Sequence, residues 1–265
     1  MNILVLLKMV PDVVEELEVA ADGKSLNVEF LRLNLNERDN HALEQALLLK
    51  DRYGGKVTAL VLDAPEIDDV LFTALAKGVD RAVKASGAEP VLGTEAIAGR
   101  LASGLAPTSP GQASLLPVDL IVTGCQAIDD LDGMIAPLVA HHLKLPYLGL
   151  VTRVEVDAAA NRAVVTKEFS GGVRGEFEVG LPAVLGVQAA EKPPRYVPVA
   201  KVRAAMKSQK IETLTLPAEA EGGAAAVEVL AMAKPEAAGH AEMLEGSPEE
   251  IAGKVCEILA ARGLM

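Results

Sequence analysis

Four short, almost uninterrupted apolar runs, at residues 3–7, 57–62, 120–123 and 183–187, constrain this chain more than any other feature. A strand with one wet face alternates apolar and polar residues. A continuous run instead needs cover on both faces, which is the condition of a parallel sheet between two helical layers. Helical patterns fill the gaps between the runs. Asn36 stands as an N-cap with Asp39 three residues on, and Ala42, Ala46 and Leu49 follow at helical spacing. Residues 66–77 predict a second helix closed by Gly78 at C′, and residues 95–103 and 133–143 predict two more. Strand–helix alternation with short loops implies right-handed crossovers and an α/β fold with an open, doubly wound, mostly parallel sheet.

Two regions break the rhythm. Residues 15–30 carry an Ala-Asp-Gly-Lys turn between short alternating segments, which predicts a hairpin. Residues 151–156, 163–169 and 176–179 read as consecutive antiparallel strands, with a turn at 170–172, so the sheet gains an antiparallel extension. After Gln188 the prolines Pro193, Pro194 and Pro198 stop regular structure, and the basic residues Lys201, Arg203, Lys207 and Lys210 follow. Residues 217–246 are rich in Ala, Glu and Gly and read as a linker or loosely packed arm. The last element is a helix opened by the capping box Ser247-Pro248-Glu249-Glu250, with Ile251, Val255, Ile258 and Leu259 on one stripe. The expected division is a first domain over residues 1–199 and a C-terminal arm over 200–265.

Composition narrows the function classes. A formal net charge of −12 argues against a nucleic-acid backbone as partner. Two cysteines, Cys125 and Cys256, are too few for a disulfide framework and fit a reducing cytoplasm. The opening apolar run ends at Lys8 after five residues, so it reads as a buried strand rather than the core of a signal peptide. No transmembrane segment is expected, because no uncharged apolar stretch reaches the roughly 18 residues that span a bilayer.

In such a sheet a ligand sits beyond the carboxyl ends of the strands, where strand order reverses. Three loops qualify by position: residues 8–12, the loop after 57–62, and the loop after 120–123. The third runs from Gly124 through Asp129, Asp130 and Asp132 to Gly133, where a helix is expected to begin. Gly124 would let backbone approach a ligand, and a helix N-terminus offers free N–H groups to phosphate. The three aspartates serve equally well as helix caps, so the residues alone leave both readings open. His141 and His142 project differently from a helix end and make poor metal co-ligands, and Cys125 reads as a small buried residue. Neither a Gly-x-Gly-x-x-Gly nor a Gly-x-x-x-x-Gly-Lys motif occurs, and Ser170-Gly171-Gly172 fits a hairpin turn.

Several motifs, in order along roughly the first 210 residues, resemble the electron transfer flavoprotein β subunit. They are Asn36 with Asp39 and the following helix, Thr73-Ala74-Leu75-Ala76 with Gly78, Asp80 and Arg81, and Gly124-x-Gln126-Ala127-Ile128-Asp129. Lys167-Glu168, Gly171-Gly172, Glu176 and Leu181-Pro182-Ala183-Val184 follow, then Pro194-Arg195-Tyr196. The resemblance implies a sheet of the adenine-nucleotide-binding type and a heterodimer whose α subunit holds the redox-active FAD. It implies AMP, or a second FAD in the electron-bifurcating branch, bound by this subunit. The cofactor site implied by carry-over comprises Leu6, Asn36, Asp39, Leu62, Gly124, Gln126, Ala127, Ile128, Asp129, Asp130, Gly133, Met134 and Ile135. The implied partner-recognition loop comprises Gln188, Glu191, Lys192, Pro194, Arg195 and Tyr196, and the chain beyond it would reach over the α subunit.

Departures from the family pattern carry their own implications. Gly133, Met134 and Ile135 stand where the family has Asn or Ala, then Gln, then Thr or Val at the phosphate-facing helix start, which leaves phosphate to backbone N–H groups or the nucleotide weakly held. Pro11-Asp12 and Pro137 resemble the bifurcating branch, whereas Asp130-Leu131-Asp132 does not. Glu191 replaces an apolar anchor, which points to a docking partner other than the usual acyl-CoA dehydrogenase. The resulting expectation is an electron carrier rather than an enzyme by itself, passing electrons between a flavin dehydrogenase and a downstream acceptor. The competing readings are a stand-alone nucleotide-binding regulatory protein and a nucleotide-free scaffold for the α subunit.

Overall fold

The computed structural model describes residues 1–86, 93–105, 114–130, 132–216, 229–235, 239 and 241–264. In chain order the strands are β1 (Asn2–Leu7), β2 (Met9–Pro11), β3 (Leu33–Leu35), β4 (Lys56–Leu62), β5 (Arg81–Ser86), β6 (Leu120–Gly124), β7 (Tyr147–Asp157), β8 (Arg162–Glu168), β9 (Arg174–Gly180), β10 (Ala183–Val187) and β11 (Ile211–Thr215). The helices are α1 (Glu37–Tyr53), α2 (Ile67–Lys77), α3 (Thr94–Leu105), α4 (Ile135–Leu143), α5 (Val199–Ser208) and α6 (Pro248–Ala261). Nine strands form one sheet in the order β11-β5-β4-β1-β6-β10-β7-β8-β9. All neighbours from β11 to β7 are parallel, and β7, β8 and β9 are antiparallel.

The continuous apolar runs are explained by cover on both faces. In β1, Ile3, Val5 and Leu7 pack with α1 and α2 residues such as Leu43, Leu47 and Leu71. The intervening Leu4 and Leu6 pack with Leu101 and Leu105 of α3 and Val139 of α4. Every residue of β6 and β10 is buried. The extension follows the other rule: Val151, Val154, Ala163 and Val165 face the core while their neighbours are mostly partly or fully exposed.

Three expectations change in detail. Residues 15–30 hold the expected turn, where Asp22 accepts the amides of Lys24 and Ser25, but its arms meet in a single isolated bridge, Val19 to Leu26, rather than a ladder. The basic stretch after Pro198 is ordered as α5, and β11 then pairs with β5 at the sheet edge. Arg81 clasps Glu212 there through two hydrogen bonds of 2.9 and 2.8 Å. The arm expected from residue 200 thus contributes a strand to the first domain's sheet. Most of the expected linker, residues 217–228, 236–238 and 240, lies outside the described residues. Helix α6 begins with the expected capping box, yet none of its residues is buried.

Chain order makes the left half of the sheet wind outward from β1 to β4 and β5, and then return to β6 on the other side of β1. The crevice between the carboxyl ends of β1 and β6 is therefore the switch point. Leu185, on β10 beside β6 and fully buried, tests how strongly this framework depends on packing. Leu185→Ala is expected to lower unfolding stability by about 2–5 kcal/mol, read from urea midpoints at unchanged m-value.

Candidate functional site

One side chain draws the switch point together. Asp39 lies in the first turn of α1 and is 2% exposed. Its Oδ2 accepts the Lys8 amide at 2.9 Å, at the end of β1. Its Oδ1 accepts the Gly124 amide at 2.6 Å and the Thr123 hydroxyl at 3.2 Å, at the end of β6. Asn36, just ahead of the helix, donates its side-chain amide to the Gln126 carbonyl at 3.0 Å and its backbone N–H to the Lys8 carbonyl at 2.9 Å. Asn36 therefore occupies the N-cap position without capping: its amide crosses to the β6 loop. Asp39 likewise serves the strand ends rather than a capping box.

Burial is the largest influence on Asp39 and pushes its carboxyl up to about 6, against the pull of the Gly124 and Lys8 amides, Asn36 and Thr123. The carboxylate is thus ionised at neutral pH with its donors in place. The close approach of α1 by itself requires glycine at position 124. A Cβ on it would stand 2.6 Å from Arg38 Cβ and 2.6 Å from Asp39 Oδ1. Gly133 takes φ +65°, and a Cβ there would fall 2.2 Å from the Cys125 carbonyl.

The clamp opens onto a cavity at the sheet's carboxyl edge. Its apolar floor comes from Leu6, Leu60, Leu62, Ile97, Leu101 and Ile135. Its rim is made by Lys8, Asn36, Asp39, Thr123, Asp130 and Gly133, together with Gly124, Cys125, Gln126 and Ala127. A second, more open groove runs on from it past Val10, Pro11, Asp12, Arg38 and Ile128, and the two share Asn36, Gln126 and Ala127. Thus ten of the residues expected around a cofactor line the cavity, and Ile128 lines the groove. Two do not. Met134 is 41% exposed and outside both linings, and Asp129 reaches the rim through a 2.7 Å ion pair with Lys8.

The aspartates of this loop do not cap α4, which starts at Ile135, two residues later than expected, with no side-chain cap. Asp129 is turned to Lys8, Asp130 is buried in the lining, and Asp132 is exposed. Residue 131 lies outside the described residues. Cys125 is buried, its thiol raised by that burial, and its N–H donates to Val187. The reading by motif missed Leu7, Lys8, Leu60, Ile97, Leu101, Thr123 and Cys125. Position after β1 was the available signal for Lys8, whereas the α3 residues reach the site only through the sheet's twist and packing. A mostly apolar lining with a few polar groups is the make-up of a small-molecule site.

The 188–196 segment is held against α1 along its length. Arg38 donates to the Gln188 carbonyl at 2.7 Å, and His41 Nδ1 accepts the Ala190 N–H at 3.2 Å. Glu191 exchanges hydrogen bonds with Gln45 and accepts from Arg52 at 3.0 Å. Burial works against its charge, but Gln45 and Arg52 outweigh that and hold it below the usual carboxylate range. Arg195 binds the buried Glu44 and also Asp51. The Glu191 carboxylate is therefore directed inward, onto Gln45 and Arg52 of α1. Pro194 is half-buried, and the outward groups are Lys192 and Tyr196, the latter 83% exposed.

Residues 28–239 match the electron transfer flavoprotein domain family. Over 98% of both chains, the protein is 30% identical to the electron transfer flavoprotein subunit beta of Methylophilus methylotrophus. It is 33% identical to the subunit beta of Clostridium acetobutylicum over 76% of this chain and 74% of the relative. It is 29% identical, over the full length of both, to the caffeyl-CoA reductase-Etf complex subunit CarD of Acetobacterium woodii.

The clamp has a pH signature. Between the ordinary carboxyl value of 3.8 and about 6 the folded protein holds the Asp39 proton more tightly than the unfolded chain. Its contribution to stability is therefore fully present below about pH 4 and lost as pH rises to about 6. Asp39→Asn cannot titrate, and its NH2 must face one of the donors Asp39 now accepts. The stability difference, wild type minus variant, should fall by roughly 2–3 kcal/mol between pH 4 and 7 in urea titrations. A flat difference would show that burial does not dominate this carboxylate.

Proposed function

The chain belongs to the electron transfer flavoprotein family as one of its β subunits, and on that premise we propose how it works. The adenosine 5′-phosphate portion of a nucleotide lies in the switch-point cavity, with its base over Leu6, Leu60, Leu62 and Ile135. The single observation that carries this reading is the Asp39 clamp, which joins both strand ends and α1 around an apolar slot. The nucleotide is AMP, and it fixes the loop at 124–135. A second FAD is supported by the adjoining groove past Pro11 and Ile128, which would take the longer molecule. One of its full-length relatives is named as a subunit of a caffeyl-CoA reductase-Etf complex, which agrees with that alternative.

The redox FAD is held mainly by the α subunit, and the flavin carries the electron chemistry. The part of this chain is to bind, orient and recognise in a complex that runs between a flavin dehydrogenase and a downstream acceptor. Lys192 and Tyr196 present themselves to a partner on a loop that α1 keeps in place. Because Glu191 is bonded inward, that contact rests on the exposed Tyr196 ring and the Lys192 charge. The C-terminal arm packs on the α subunit through α6, whose Val255 and Ile258 are exposed on this chain alone. No described helix is long and apolar enough to cross a membrane, and a cytoplasmic heterodimer is the proposed setting.

Co-expression with the α subunit tests the reading. A yellow one-to-one heterodimer is expected, and acid extraction should release AMP or a second equivalent of FAD. A colourless chain that ignores the α subunit would sink the carrier role, and a heterodimer with no nucleotide beyond the α-subunit FAD would leave only the scaffold. Deleting residues 247–265 should weaken heterodimer formation by at least about tenfold, roughly 1.4 kcal/mol, in analytical ultracentrifugation. Unchanged association would remove α6 from the interface.

A further inference from the structure

A nucleotide needs something to meet its phosphate, and the helix start facing the cavity is poor in donors. Gly133, Met134 and Ile135 bring no polar side chain. Pro137, the third residue of α4, has no N–H, so it removes one of the amides that a helix N-terminus normally leaves free. The acidic side chains Asp39 and Asp130 line the same cavity. Among the described residues that line it, the one positive charge belongs to Lys8. Arg38, on the adjoining groove, already donates to the Gln188 carbonyl at 2.7 Å.

Lys8 is built into the site from both sides. Its amide and carbonyl are held by Asp39 and by the Asn36 N–H, so its Cα is fixed at the end of β1. Its ammonium, on a flexible stem, crosses the rim to Asp129 Oδ1 at 2.7 Å, and the two side chains are 23% and 38% exposed. A partly exposed, single-contact ion pair of this kind holds weakly. A phosphate that carries close to two negative charges is a stronger partner for an ammonium than one such carboxylate.

We propose that Lys8 is the phosphate-binding residue of the cavity, and that on binding it exchanges Asp129 for the 5′-phosphate of the nucleotide. The proposal rests on the nucleotide reading of the cavity given above and adds to it the residue that recognises the phosphate. Asp129 acts as a stand-in: it holds Lys8 at the rim and competes with the phosphate for it. Opposite effects follow from removing the two partners. Loss of Lys8 removes an attraction, while loss of the Asp129 charge removes a competitor and a repulsion.

The test uses the full-length heterodimer with its FAD, freed of AMP by gel filtration, titrated calorimetrically at pH 7.5 with AMP and, separately, with adenosine. Lys8→Met keeps the apolar stem of the side chain. It should weaken AMP about tenfold or more while leaving adenosine within about twofold. Asp129→Asn should tighten AMP about threefold or more, again without moving adenosine. Unchanged melting temperatures of the nucleotide-free variants show that the ion pair is not a structural latch. If Lys8→Met weakens AMP and adenosine alike, or if Asp129→Asn weakens AMP, Lys8 only braces the loop and the proposal is overturned. Wild-type protein that binds neither ligand instead overturns the nucleotide reading itself, a result distinct from either variant's failure.

Discussion

The buried carboxylate of Asp39 is the constraint on which the rest of this architecture turns. A parallel sheet ends in strands whose last amides have no ladder partner on the carboxyl side, and burying them unpaired would cost about 1–3 kcal/mol each. Asp39 accepts one such amide from each of the two strands that flank the switch point and a hydroxyl besides. It does so from the first turn of α1, where the helix dipole favours a negative charge. Strand ends, helix start and cavity rim thereby share one anchor. The cost is a carboxylate in an apolar setting, visible in its raised pKa.

The same helix carries that anchor away from the cavity. Arg38 packs against Gly124 and reaches the Gln188 carbonyl, and further along α1 His41, Glu44, Gln45 and Arg52 hold the 188–196 segment. One rigid element thus bears the cavity wall at its start and the 188–196 segment along its length. The exposed end of the molecule is different in kind. Helix α6 is well capped, yet none of its residues is buried, so on this chain it rests on its cap and local propensity rather than on packing.

Much of the fold was legible because burial on both faces writes itself into consecutive residues. The runs at 3–7, 57–62, 120–123 and 183–187 became β1, β4, β6 and β10, and the alternating segments became the antiparallel extension. The hairpin expected at 15–30 was not legible in the same way, since short alternation there has no covered face to enforce a ladder. Strand β11 was hidden for the opposite reason: Ile211-Glu212-Thr213-Leu214-Thr215 is a polar-looking edge strand, and its pairing is made by β5 and the Arg81–Glu212 clasp.

By itself the sequence determined the layers, the switch point and the family, because periodicity, turn residues and ordered motifs are local properties. It also placed most of the cavity residues, which sit in loops directly after strands. Only the tertiary structure decided what each polar group does. Asn36 and Asp39 have the spacing of a helix cap, yet their side chains bond to groups at and just after the strand ends that lie 31, 85 and 90 residues away in sequence. Glu191 has the position of an outward anchor, yet Gln45 and Arg52 turn it inward. A side chain chooses its partner by proximity and desolvation in three dimensions, and neither quantity is written in the spacing of residues along a chain.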